Sequence, residues 1–143
     1  MSKNFWMSVQ KLDNFENLKK ENFKEIIIPK NSHKKANRME TNDRLVFYIT
    51  ELKKWAASAT IDSHNFSTEE NQQKNLVYKA SISINCLLNE DDYIKGAILG
   101  PSLYYLRNWS PEKWNLAFTD PLYLLPRQDF KVIEGEMERI INK

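Results

Sequence analysis

Cysteine occurs once in this chain, at Cys86. That excludes an internal disulfide framework and any zinc site built on paired cysteines. Glycine occurs three times, and the sequence holds no Gly-rich phosphate loop, no Walker pattern and no nucleophile elbow. Histidine occurs twice, at His33 and His64, and neither stands at a metal-ligand spacing. No run approaches the ~18–20 apolar residues of a membrane span. The opening MSKNFWMSVQKLDNF has no apolar core of the kind a secretion signal needs. The expectation is a cytoplasmic chain without membrane, metal or cofactor. Charge of one sign is also scarce: the net charge is +2, too small to mark a nucleic-acid binder unless the charges are clustered.

What is present is an ordinary globular composition. The 143 residues fit one domain spanning 1–143, with 41% hydrophobic and 28% charged residues. Aromatic residues reach 12%, and four of them are tryptophan, flat apolar surface that serves either as core or as a stacking platform.

Phe5 to Gln10 reads as a strand, with Phe5, Met7 and Val9 on one face and Trp6, Ser8 and Gln10 on the other. A helix follows, with Leu12, Phe15 and Leu18 at helical spacing and Asp13 with Glu16 as its expected capping pair. Glu25 to Ile28 is a β-branched run closed by Pro29, and Arg44 to Thr50 is the clearest strand. Trp55 to Ile61 returns from a Lys53-Lys54 turn, Ser63 to Asn75 reads as a polar surface loop, and Val77 to Leu88 alternates as a strand. Asn89 to Asp92 predicts an acid-rich helix start. Trp114 to Phe118 and Pro121 to Leu125 predict short strands, and Pro126 opens a last helix with an apolar stripe through Phe130, Ile133, Met137, Ile140 and Ile141. Adjacent strands are expected to be antiparallel. This order predicts an α+β fold, a small β-barrel of mainly antiparallel strands decorated by several helices, capable of standing as a monomer or weak homodimer.

Catalysis finds little support in these residues. His33 as a general base is disfavoured by the cations Lys34 and Lys35, which depress its pKa. Asp91-Asp92 reads better as capping than as an acid pair, and Cys86 falls on an apolar strand face, where a structural thiol is expected. The chain is therefore read as no enzyme. The cations Lys30, His33, Lys34, Lys35 and Arg38 crowd into one segment, either as a solvated face or as a set of phosphate ligands. Trp55, directly after two lysines, has the aromatic-beside-cation arrangement of a base-stacking site. Trp6 and Trp114 serve equally as core or as pocket lining.

In order and spacing the chain resembles the EVE family, a PUA-like group related in fold to YTH domains. The resemblance is carried by the Phe5-Trp6 strand and by IPKNSHKKANRMETNDRLVFYI from Ile28 to Ile49. It continues through WAASATI at Trp55 to Ile61, and ends with Leu103 to Arg107, Trp114, Phe118 and LPRQDFKVI from Leu125 to Ile133. It implies a PUA-like β-barrel that binds RNA or DNA and holds one base, plain or modified, in an aromatic-lined pocket beside the basic segment. It also brings the first strand close to that segment. The phosphate-binding candidates are then Lys30, His33, Lys34, Lys35 and Arg38. The base-pocket candidates are the walls Trp6, Trp55 and Trp114, with Gln10, Lys11, Asn31, Ser32 and Asn37 as polar readers of a base edge. Where the family has a Lys-Pro-Gly-Asp turn this chain has Glu40-Thr41-Asn42-Asp43, and Asn42 is expected to take the left-handed position. Ala57 stands in place of a family glycine and Ser58 in place of an apolar residue. The other reading of the same fold is a protein-interaction or small-ligand module without nucleic acid.

Overall fold

The computed structural model describes residues 4–28, 38–70, 76–104 and 122–142 of the chain. Its strands are β1 (Phe5–Gln10), β2 (Glu25–Ile28), β3 (Arg44–Ile49), β4 (Lys54–Glu70), β5 (Leu76–Leu87), β6 (Ile94–Lys95) and β7 (Leu122–Leu125). Its α-helices among these residues are α1 (Leu12–Lys20), α2 (Gly96–Leu99) and α3 (Arg127–Ile141). The strands form one sheet in the order β2-β5-β4-β3-β1-β7, with β6 added beside β4, curled into a half-barrel. The fold is α+β, as its alternation of strands and helices predicts.

Contrary to expectation, one adjacent pair is parallel: β1 runs alongside β3, Phe5 opposite Arg44 and Gln10 opposite Ile49. The other described pairings are antiparallel. A parallel neighbour requires a long crossover, and the chain supplies α1, β2 and the basic segment between the two strands. β3 is buried on both faces, which is why it reads as a near-continuous apolar run. Register shifts between Phe47 and Tyr48 and between Ser58 and Ala59 mark bulges, and bulges are what bend a sheet into a curl.

The polar stretch after Ile61 is not a loop throughout. β4 continues to Glu70 and β5 starts at Leu76, so the two form a long hairpin. Serine, threonine and asparagine there hide the strand from a reading of apolar alternation, and its pairing with β5 reveals it. The Asn89–Asp92 signal yields only a 3₁₀ turn at Glu90–Asp92 without a side-chain cap, and the chain re-enters the sheet at β6 before α2. The predicted strand at Trp114 to Phe118 lies outside the described residues.

With so few glycines, left-handed turns fall to other residues. Asn22, Phe23, Asn42 and Lys53 have φ of 59°, 53°, 76° and 54°. Asn42 does what its turn requires: the Asp43 N–H donates to the Glu40 carbonyl at 3.1 Å and the Asn42 N–H to Ile61 at 2.8 Å. Phe23 carries a steric cost there as an aromatic residue, offset by burial of its ring against Phe15 and Phe47.

Phe15 fixes α1 on the sheet, with its ring 5.8 Å from Phe47 and 6.2 Å from Tyr93. The expected capping pair is absent. Leu12 donates its N–H to both carboxylate oxygens of Glu51, at 3.0 and 3.1 Å, so the cap comes from the turn after β3. Hydrogen bonds from the Thr50 hydroxyl and then the Leu12 N–H hold the Glu51 carboxyl below its usual pKa. Near the other end of α1, Lys19 donates to the Tyr93 hydroxyl at 3.0 Å, which raises the lysine pKa.

On the opposite face α3 lies across β5, β1, β3 and β4. Phe130, Ile133 and Met137 are fully buried, whereas Ile141 is 48% exposed. The Arg44 guanidinium pairs with Glu134 and sits 5.2 Å from the Phe130 ring centroid, and the buried Ser58 hydroxyl donates to the same Glu134 carboxylate at 2.7 Å. Ser58, polar where the family is apolar, thus has a partner on α3. Ile133→Ala is expected to cost about 2–5 kcal/mol in urea unfolding. Ile141→Ala should stay within about 0.5 kcal/mol, and equal costs would contradict this docking of α3.

Candidate functional site

Strand alternation sorts the candidate residues. Gln10 and Trp6 share one face of β1, and Met7 points to the other. Trp55 donates its Nε1–H to Met7 Sδ at 3.4 Å and lies edge-on to Tyr48 with ring centroids 5.2 Å apart. Trp55 therefore belongs to the sheet face opposite Gln10. It has no exposed surface and offers no wall to a base. Trp6 is equally buried, with its Nε1–H donating to Asp43 Oδ2 at 3.0 Å. Both tryptophans are corrected from pocket walls to core. The physical reason is the same for each: a buried indole N–H needs an acceptor, and both find one inside the protein.

Asp43 does more than its sequence context suggests, where it reads only as part of a turn. It is buried and accepts three N–H bonds, from the Asn4 backbone at 3.1 Å, the Glu40 backbone at 2.9 Å and the Trp6 indole at 3.0 Å. Its own backbone carbonyl receives the Ile61 N–H at 2.8 Å. Asp43 thereby ties the turn before β3 to the starts of β1 and β3. Arg38 lies just before this hub and is exposed, with its carbonyl near the Asn4 amide.

Gln10 does line a cleft, of about 360 Å³. Asn14, Asn17, Leu18 and Glu21 face it from α1, at the i, i+3, i+4, i+7 spacing of one helical face. Glu25 and Ile27 close it from β2. β2 is one end of the sheet path and β1 is next to the other, so the cleft joins two strands that are far apart in the sheet, with α1 between them in the chain. Glu25 sits 3.7 Å from Lys79, and Ile27 is 56% exposed. Lys11 is exposed at the start of α1, beside Glu51 rather than in the cleft. Lys30, Asn31, Ser32, His33, Lys34, Lys35, Asn37 and Trp114 lie outside the described residues.

No pattern in the sequence marks the face of α1 that lines the cleft, because polar residues at helical spacing look the same whether they meet a ligand or water. Among the described residues no group of three or more His, Cys, Asp or Glu could hold a metal ion, and no helix is long and apolar enough to cross a membrane. Burial pushes the Cys86 thiol pKa up, the property of a structural cysteine.

No family model matches the sequence, and no curated protein does. Solved structures do match. The crystal structure of the Mmi1 YTH domain superposes with a TM-score of 0.68 at 11% identity, covering 99% of this chain and 92% of that one. The fold is YTH-like. A second Mmi1 YTH structure, a complex with RNA, gives a TM-score of 0.64 at 13% identity over 98% of this chain and 80% of that one. A crystal structure of a protein from Agrobacterium tumefaciens gives 0.63 at 15% identity, over 93% and 92% of the two chains. The superposition thus covers nearly the whole chain.

Proposed function

We propose that this chain is an EVE-like module that binds single-stranded nucleic acid, RNA foremost, with phosphates on the basic segment and one base, plain or modified, at the cleft beside Gln10. The observation that carries this reading is one of continuity. β2 forms a wall of the cleft, and the chain leaves β2 directly into Lys30, His33, Lys34, Lys35 and Arg38. A base in the cleft would lie beside the strand from which these cations follow in the chain, which suits the division of labour between base reading and backbone neutralisation that such proteins use. The amides of Gln10, Asn14 and Asn17 carry both donors and acceptors, which suits a base edge. Leu18 and Ile27 offer apolar surface to a ring. A YTH-like structure solved with RNA supports the same class of ligand. The chemistry is binding, not catalysis.

The test is a salt titration. Lys34→Ala, Lys35→Ala and Arg38→Ala together should weaken all short single-stranded oligonucleotides about equally. They should also flatten the dependence of log K on log salt, by up to about 0.7 for each phosphate that is no longer neutralised. An unchanged slope would mean an ordinary solvated face and would leave the interaction-module reading, which the carboxylates of the cleft also suit.

A further inference from the structure

We infer that the cleft selects bases bearing an exocyclic amino group, namely adenine, cytosine or guanine, over uracil and thymine; this rests on the nucleic-acid reading above. Among the polar groups of its wall, acceptors outnumber donors. The Gln10 amide spends one of its two N–H groups on Ser8 Oγ at 2.6 Å, which leaves it one N–H donor beside its carbonyl oxygen. Glu21 and Glu25, when ionised, accept only, and the Lys79 ammonium 3.7 Å from Glu25 meets only part of that demand. Asn14 and Asn17 can adjust to either role, but they cannot reverse that excess. A ligand must bring N–H donors or leave carboxylates facing its own lone pairs.

The amino groups of adenine, cytosine and guanine supply such donors, and a carboxylate accepting from a base amino group is an established pairing chemistry. Uracil and thymine set carbonyl oxygens on either side of one ring N–H, so each pairing places like partial charges together. A cleft of about 360 Å³ lies at the small end of ligand pockets and fits one base. A free polyamine would also satisfy the acceptors. The cations that follow β2 in the chain disfavour a polycation and favour a ligand that carries phosphate.

The experiment compares short single-stranded homopolymers of A, C and U on the intact chain and on the Glu21→Gln/Glu25→Gln variant, by fluorescence anisotropy at two salt concentrations. Glu21 and Glu25 are surface residues, so the variant should fold, and its circular dichroism checks that. The intact chain should bind A and C oligomers roughly five- to hundredfold more tightly than U oligomers. The variant should lose most of that ratio, even if its overall affinity rises through reduced repulsion of phosphate. Equal binding of all three oligomers, or a ratio unchanged in the variant, overturns the selectivity while leaving nucleic-acid binding standing. No salt-dependent binding of any oligomer overturns the nucleic-acid reading and the inference with it. An arginine-rich peptide that binds where oligomers do not, and whose binding the variant abolishes, overturns both in favour of a protein partner.

Discussion

Asp43→Ala is expected to lower the unfolding free energy by about 3–5 kcal/mol, at the top of the range for point substitutions. The carboxylate is buried and receives N–H donors from Asn4, Glu40 and Trp6. Removing it strands all three, and each buried donor left without a partner costs about 1–3 kcal/mol, less wherever water enters the gap. Asp43→Asn should cost less, since it keeps the volume and one acceptor oxygen but turns an N–H toward a donor. Urea unfolding checks this: the midpoint should fall with the slope unchanged. An alanine variant within about 1 kcal/mol of the parent would mean that the turn does not organise the starts of β1 and β3.

Trp55→Ala is expected to cost about 3–5 kcal/mol in the same measurement, because a fully buried indole leaves a cavity that the sheet cannot close. Trp55→Leu refills part of that space and separates the two roles that the residue could have. Held at a temperature where it is folded, the leucine variant should bind oligonucleotides as the parent does, since Trp55 faces Met7 and Tyr48. A base stacked on Trp55 would instead cost about 1–3 kcal/mol of binding on that substitution. Such a loss in a folded variant would return Trp55 to the binding site.

Much of the architecture is legible in one dimension. The β-branched run at Ile26 to Ile28 and the apolar block at Leu45 to Ile49 are strands, and the stripe through Phe130, Ile133 and Met137 is the buried face of α3. Phe47, Ile49, Ile82, Phe130 and Ile133, each on the apolar face of its element, are buried, while Ile84 is only partly so. Asn42 is left-handed, as its place in a glycine-poor turn demands. Each of these depends on local periodicity or local backbone preference, which the order of residues carries directly.

Pairing and partner choice are not legible in this way, because they depend on residues distant in the chain. The helix cap on α1 comes from Glu51, across the crossover, and no local pattern at Asp13 announces that. The parallel β1–β3 pair and the extension of β4 to Glu70 are settled by what lies alongside each strand. For the candidate site, Gln10 and Trp55 are expected to share one pocket, whereas Gln10 lines a cleft and Trp55 lies in the core. A tryptophan next to lysines reads alike whether its ring faces solvent or the core. Only the register, which sets Met7 against Trp55 and turns Gln10 to the opposite face, decides between the two. Composition and periodicity thus determined the apolar strands and the two longer helices, and where the cations lie in the chain. The tertiary structure decided which side chains share a cavity, since a one-residue step along a strand reverses the face and no count of residues records it.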